Sequence, residues 1–398
     1  MRSRNETEIT HTYTLYAGVR PIPNLELYAN PELALGNGVS RGQGLAGYGN
    51  GDLIGQQALR PLPYLARYFV RWRVPMPHMG PHKGGEEVAE EETGRALNII
   101  PARVPAHRLV ITLGKFAISD IFDTNSYANN PRTQFLNNAF GNNLAYDYAE
   151  EVRGYDLGAS AVWVNPAWAA RFGTFAMPTA AGGANLAYNW TNDHSEQIEA
   201  DLHLHLLRGG KPPFIVRLLG WRNVGNMGRY QDALSEVRQG APPSLTAIER
   251  VGTVRMGAGV NFEQALADGG ATGIFGRLGW ADGSRESYNF AECDQFYSLA
   301  AQVSGIHWRR RDDRVGIGCA VSGISRSHRD YLGAGGVGLA LGDGGLSYGD
   351  EQAVELYYSY QAAKPVSISL DFQSIADPGY NRARGPVALW SVRAHAQF

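Results

Sequence analysis

Several things are scarce in this chain, and each scarcity removes a class of protein. Cys293 and Cys319 are the only two cysteines in 398 residues, too few for a disulfide framework or a four-ligand zinc site. Both are expected to be free thiols. Charged residues make up only 19% of the chain and the net charge is −2, so no basic field exists for a nucleic acid to find. No stretch approaches the roughly 18–20 apolar residues that a spanning helix needs, and mean hydropathy is −0.28. Met1-Arg2-Ser3-Arg4 is basic, but no apolar leader core follows it. A nucleophile elbow, an HExxH helix and a close pair of catalytic carboxylates are all missing, so neither enzymatic activity nor a cofactor is expected.

What is abundant points to strands and turns: 49 glycines and 20 tyrosines. Apolar and polar residues alternate with period two. Val366, Ile368, Leu370 and Phe372 share one face, and Ser367, Ser369, Asp371 and Gln373 the other. Val354, Leu356, Tyr358 and Tyr360 likewise oppose Ala353, Glu355, Tyr357 and Ser359. Ile198, Ala200, Leu202, Leu204 and Leu206 oppose Gln197, Glu199, Asp201, His203 and His205. Fifteen such segments are found, at 8–19, 25–35, 63–74, 107–116, 155–164, 167–176, 196–206, 214–223, 252–262, 271–280, 297–307, 314–323, 351–361, 365–375 and 387–398. Most are about ten residues, the length a tilted strand needs to cross a bilayer. Strands of soluble proteins are commonly nearer five or six.

Short connections (20–24, 165–166, 208–213, 264–270, 309–313, 362–364) alternate with long ones (36–62, 117–154, 177–195, 224–251, 281–296, 324–350, 376–386). Short turns on one side and long loops on the other mark an outer-membrane barrel. The expected fold is therefore all-β: a transmembrane, antiparallel up-and-down β-barrel of about sixteen strands. Its short turns would be periplasmic and its long loops extracellular, all in one domain over 1–398. Segment 75–106, with His78, His82 and the acidic run Glu86 to Glu92, is long where a short turn is due and reads as a periplasmic insertion. Single-chain bacterial barrels have even strand numbers. Fifteen segments thus imply one more strand upstream of Met1, and an open seam between 8–19 and 387–398.

The polar faces define a water-filled lumen. If Ala66, Tyr68, Val70 and Trp72 face lipid, Arg67, Phe69, Arg71 and Arg73 face inward. Arg171, Arg217, Arg255 and Arg277 fall inside by the same test, with Glu199 and Asp201 opposing them. Such forks and carboxylates can hydrogen-bond sugar hydroxyls, or can form structural ion pairs in a solvated wall. Loop 117–154 either folds inward as a constriction, with Asp120, Asp123 and Arg132 at its base, or packs on the rim. Arg132 to Asn143 is expected to form a short helix after Pro131. Tyr13, Trp163, Trp168, Trp190, Trp280, Trp308, Tyr358 and Trp390 suit interfacial girdles. Gly333-Ala334-Gly335-Gly336-Val337-Gly338 matches GxGxxG but lacks a surrounding βαβ unit, so 327–342 reads as a folded piece of an outer loop. His203 and His205 lack a third metal ligand and read as lumen polarity.

The run Gly114-Lys115-Phe116-Ala117-Ile118-Ser119-Asp120-Ile121-Phe122-Asp123-Thr124-Asn125-Ser126-Tyr127, continuing to Pro131-Arg132-Thr133-Gln134-Phe135, resembles the signature of carbohydrate-selective porins of the OprB-like family. Asp147-Tyr148 through Arg153-Gly154-Tyr155, Phe172-Gly173-Thr174-Phe175-Ala176-Met177-Pro178, Asp377-Pro378-Gly379-Tyr380-Asn381 and the ending through Phe398 are similar to it too. The resemblance implies a sixteen-stranded bacterial outer-membrane porin that passes glucose and other small sugars. Its partners would be small sugars, outer-membrane lipid and lipopolysaccharide. It would be a monomer or a homotrimer, with periplasmic contacts through 75–106. The competing expectations are a polysaccharide-export or general diffusion barrel, and a plugged structural surface barrel.

Overall fold

A strand sends successive side chains to opposite faces, so alternating sequence gives a sheet with one apolar and one polar side. The computed structural model describes residues 5–52, 62–77, 87–90, 99–206, 212–237, 241–288, 290 and 292–398, and in it the alternating segments are strands. They are β1 (His11–Thr14), β2 (Ala17–Ile22), β3 (Leu25–Leu35), β4 (Tyr64–Pro75), β5 (Glu87–Glu90), β6 (Ala102–Pro105), β7 (Arg108–Phe116), β8 (Asp156–Asn165) and β9 (Trp168–Ala176). The series continues with β10 (His194–Leu204), β11 (Phe214–Met227), β12 (Arg250–Ala267), β13 (Thr272–Ala281), β14 (Gln295–Ser304), β15 (Arg314–Gly323), β16 (Glu351–Ala363), β17 (Val366–Ala376) and β18 (Val387–Ala396).

Antiparallel pairing follows chain order through one sixteen-stranded sheet, the up-and-down arrangement. β1 and β2 both pair with β3; β4 follows, then β7 and onward to β18. Among the described residues no ladder joins β18 to β1 or β2. β5 and β6 pair only with each other. Of the 75–106 segment, residues 78–86 and 91–98, with His78, His82, Glu86 and Glu92, lie outside the described residues.

Burial is inverted relative to a soluble protein. Ile198 is 61% exposed and Leu370 58%, while Asp371, beside Leu370, is 3% exposed and Gln373 is fully buried. An apolar outside around a polar inside is the arrangement of a sheet solvated by lipid. The sheet also curves around loop 117–154, which hydrogen-bonds to β3 on one side and to β12, β13, β16 and β18 on others. No described helix is long and apolar enough to cross a membrane.

Pro31 accounts for two departures from the alternation. Proline has no N–H to donate to a ladder. Opposite it, the segment at 8–19 breaks into β1 and β2 at Leu15 and Tyr16, so one expected strand is two. On the other side the β3–β4 register slips between Asn30–Arg67 and Pro31–Leu65. The slip leaves Ala66 as an extra residue turned inward, fully buried against Ala117 and Tyr155, and Leu65 takes the lipid face instead. Ala66 was expected on the lipid side; the bulge reverses it.

The helix expected at 132–143 is confined to α1 (Asn138–Gly141), because the Asn137 side chain caps it by accepting from Ala139 N–H. The glycine run at 333–338 follows α3 (Arg326–Gly333), whose start is capped by Ser325, so the glycines end a helix rather than open one. Cys319 is exposed on the lipid face and Cys293 is buried in a loop, both free. His203 Nδ1 lies 2.9 Å from the Pro166 carbonyl oxygen, and no metal-holding group occurs among the described residues.

Leu370 sits midway along β17 on the lipid face. Leu370→Arg should therefore cost about 2–4 kcal/mol in reversible denaturant unfolding from vesicles. Leu370→Phe should cost less than about 1.5 kcal/mol.

Candidate pore and its inward-folded loop

Asparagine sets the local path of the loop between β7 and β8. Side-chain carbonyls of Asn125, Asn130, Asn137 and Asn143 accept from the backbone N–H two residues on, at 2.9, 3.0, 2.9 and 3.1 Å. Each is a turn that closes on itself, so a chain of nearly forty residues reverses repeatedly and stays compact. Asp123, at φ 54°, adds a left-handed kink.

The compact loop is pinned to the wall by charge. Asp123 receives Arg277 Nε at 3.0 Å and Asn261 Nδ2 at 2.7 Å. Arg277 also donates to the carbonyls of Ala128 (3.2 Å) and Phe140 and to Asn129 Oδ1 (3.2 Å). Asp147 takes Arg255 Nη1 at 2.8 Å. In the opposite sense, wall carboxylates accept loop N–H groups. Glu199 takes Asp123, Glu263 takes Ser126, and Glu355 takes Leu136 and Asn137, at 2.6–2.9 Å. Apolar contact completes the seal: the Phe135 ring centroid lies 4.9 Å from Tyr357 and 5.6 Å from Phe275.

The residues singled out by strand parity separate into groups. Arg277 and Asp123 form the buried pair above. Arg255 bridges Asp147 and Asp294. Arg171 contacts Glu199 (3.0 Å) and Asp201, and Arg217 contacts Glu263 (3.0 Å) and Asp201 (3.6 Å), a row across β9 to β12. Arg73 lies 2.9 Å and Arg71 3.8 Å from Glu26. Only Arg67, Asp120 and Arg132 border an open cavity of about 180 Å³, which Asp123, Arg171, Glu199, Asp201, Arg217, Arg255, Arg277, Arg71 and Arg73 do not line. There Arg67 grips Asp120 with two parallel bonds of 2.7 and 2.9 Å. Arg132 reaches Asp52 (2.7 Å), Glu32 (3.3 Å) and Thr14 (3.0 Å). Tyr16, Tyr155, Glu150 and Arg153 complete the lining that matters chemically. A second cavity of about 320 Å³ is lined by Ser126, Thr133, Gln134, Gln302, Arg314, Ser359 and Ser367 among others, so loop residues near 126–134 border both.

Parity could have found Glu26, Glu32, Glu263 and Glu355, which lie on the inward faces of their strands. Asp52, in the 36–62 connection, carries no local signal; only tertiary folding brings it to Arg132.

Outer connections form a cap beside the loop. Tyr230 of α2 (Tyr230–Ser235), Tyr331 and Leu332 of α3, and Tyr380 share an apolar cluster. Within it His328 is buried between Asp294 (3.3 Å) and Glu292 (3.6 Å). Burial alone would lower the imidazole pKa, but the hydrogen bonds and charges of these carboxylates outweigh it and raise it above 6.5. Burial pushes Glu286 up to about 7. Both groups bind a proton more tightly in the folded cap than in the unfolded chain. Their contribution is therefore complete below about 4.5 and falls between 4.5 and 7 for Glu286. For His328 it falls as pH rises from 6.5 through its folded value. Hydrogen exchange of the α3 amides should accordingly be slower at pH 5 than at pH 8, after correction for intrinsic rates, and His328→Gln should remove part of that difference.

Asp123→Ala strands the Arg277 guanidinium in the interior. It should destabilise the loop by about 3–5 kcal/mol, seen as protease cleavage within 117–154 while the barrel stays folded in detergent.

An up-and-down sheet with an apolar exterior, a charged interior and an inward loop defines an outer-membrane porin. The chain matches the model of the carbohydrate-selective porin, OprB family, over residues 64–398, and it belongs to that family. The high-pH structure of Pseudomonas putida OprB superposes with a TM-score of 0.71 at 13% identity, covering 98% of this chain and 88% of that one. OmpT of Vibrio cholerae, folded in vitro, aligns at 10% identity over 98% of this chain and 91% of its own, with a TM-score of 0.44. No curated protein matches the sequence. Family and fold place the chain in the bacterial outer membrane and point to a carbohydrate porin, a transport channel rather than an enzyme.

Proposed function

We propose that this chain passes small neutral carbohydrates such as glucose by passive diffusion. Loop 117–154 acts as the constriction, and the cavity at Arg67, Asp120 and Arg132 is the selective passage. The observation that carries this reading is the Arg132–Asp52–Glu32 constellation beside the Arg67–Asp120 fork. It offers fixed planar donors and paired acceptors, a match for adjacent hydroxyl groups. With three guanidinium groups (Arg67, Arg132, Arg153) and four carboxyl groups (Glu32, Asp52, Asp120, Glu150) in the lining, the field is nearly balanced and favours a neutral solute.

In this reading Arg73, Arg171, Arg217, Arg255, Arg277, Glu199, Asp201 and Asp123 hold the wall and loop in place, and Arg71 supports the Glu26 cluster. The β5–β6 pair faces the periplasm. Solute binding is weak, on the order of mM or about −4 kcal/mol, because the solute must also leave.

Planar-bilayer conductance, titrated with glucose and with maltodextrins, tests the proposal. Stepwise channels blocked at mM glucose are expected. Arg132→Ala should weaken that block about tenfold and move ion preference toward cations, since Asp52 and Glu32 lose their counter-charge. Channels indifferent to sugar would favour a general or export pore, and folded protein without channels a plugged surface barrel.

A further inference from the structure

The periplasmic end of β14 to β17 carries charge that the channel does not use. The turn after β14 reads Ile306-His307-Trp308-Arg309-Arg310-Arg311-Asp312-Asp313, and the turn after β16 adds Lys364. Short turns of a barrel of this kind lie on the periplasmic side. Arg309, Arg311 and Lys364 are exposed, and among the described residues none of them pairs with a carboxylate. The pairs formed nearby are Arg310–Asp313 and His307–Asp268.

Arg310, in the middle of this turn, lies against the lipid face of the wall. Its guanidinium lies 4.1 Å from the ring centroid of Tyr360, an exposed residue on the lipid face of β16. Buried Asp313 holds it there, accepting from Arg310 Nε at 2.6 Å, from the Tyr358 hydroxyl and from Gln361 N–H at 3.0 Å. The Gln361 carbonyl accepts Arg310 Nη2 at 2.9 Å, which places the guanidinium against the strand end that leads into Lys364. Trp308 stands 6.3 Å from Tyr358, so three aromatic side chains gather at the same rim. Asp312, the remaining acid of the turn, borders the interior cavity.

Unpaired cations beside a band of Trp and Tyr on the lipid-facing wall suit one kind of ligand. We propose that this rim binds an anionic phospholipid of the periplasmic leaflet. Arg309, Arg311 and Lys364 hold the phosphate headgroup, while Arg310 stays on Asp313, and Trp308, Tyr358 and Tyr360 lie along its glycerol and upper acyl region. Guanidinium forks bind phosphate oxygens in pairs, and amphipathic rings settle at headgroup depth. The site is independent of which solute crosses the pore.

Native mass spectrometry of the full chain in neutral detergent tests it, with phosphatidylglycerol and phosphatidylcholine of identical acyl chains as probes. Wild-type protein should retain phosphatidylglycerol preferentially. The preference should fall about fivefold for each cation removed across Arg309→Ser, Arg311→Ser and Lys364→Ser, and stay unchanged in Arg326→Ser on the outer α3. Equal retention of the two lipids by wild type would overturn the proposal without recourse to any variant. An undiminished preference in the triple variant would overturn it as well. Displacement of the lipid by matched concentrations of glycerol phosphate would also do so, by showing a site for free phosphate rather than lipid.

Discussion

A guanidinium inside a barrel must find oxygen acceptors, and every acceptor that Arg277 meets belongs to loop 117–154. Asp123 supplies the carboxylate, and the carbonyls around it take the remaining donors. The loop depends on this side chain for its position, and the side chain depends on the loop to be tolerable where it lies. Removing either partner leaves a buried charge without its counter-ion, which makes the loop a cooperative part of the barrel rather than an appendage. Wall carboxylates extend the same logic, since Glu199, Glu263 and Glu355 each accept loop backbone that has left regular secondary structure. Irregular chain can persist at membrane depth only when protein surrounds and satisfies it in this manner.

The charges divide the interior by task. Fully enclosed pairs such as Arg277–Asp123 lie away from open space, and the partly wetted groups at Arg67, Asp120 and Arg132 border a cavity. Arg255 links the two outer features, with one end on Asp147 of the loop and the other on Asp294 of the cap. A change at His328, which shares Asp294, is therefore three contacts away from Asp147 of the loop. The exterior follows another rule: apolar side chains such as Ile198 and Leu370 stay exposed on its outer face.

Much of the fold was legible in the sequence because the strand period is two and the two solvents differ so strongly. Leu370 and Asp371 had to face opposite ways, as did Leu356 and Glu355, and those faces aligned the neighbouring strands. Where the rule failed, a backbone effect was responsible. Pro31 broke a ladder, and the slip beside it turned Ala66 inward. The site was less legible. Parity placed Arg171, Arg217, Arg255 and Arg277 inside, but could not say that protein oxygens would enclose them. It could not bring Asp52 to Arg132 across 80 positions of sequence.

The sequence by itself determined the strand faces, the order of the ladders and the family, because each depends on local periodicity or on contiguous motifs. Tertiary structure alone decided which charges stay wet and which partners meet across the lumen. Those outcomes arise from the desolvation of one specific loop packed against distant strands, and nearest-neighbour chemistry carries no record of that packing.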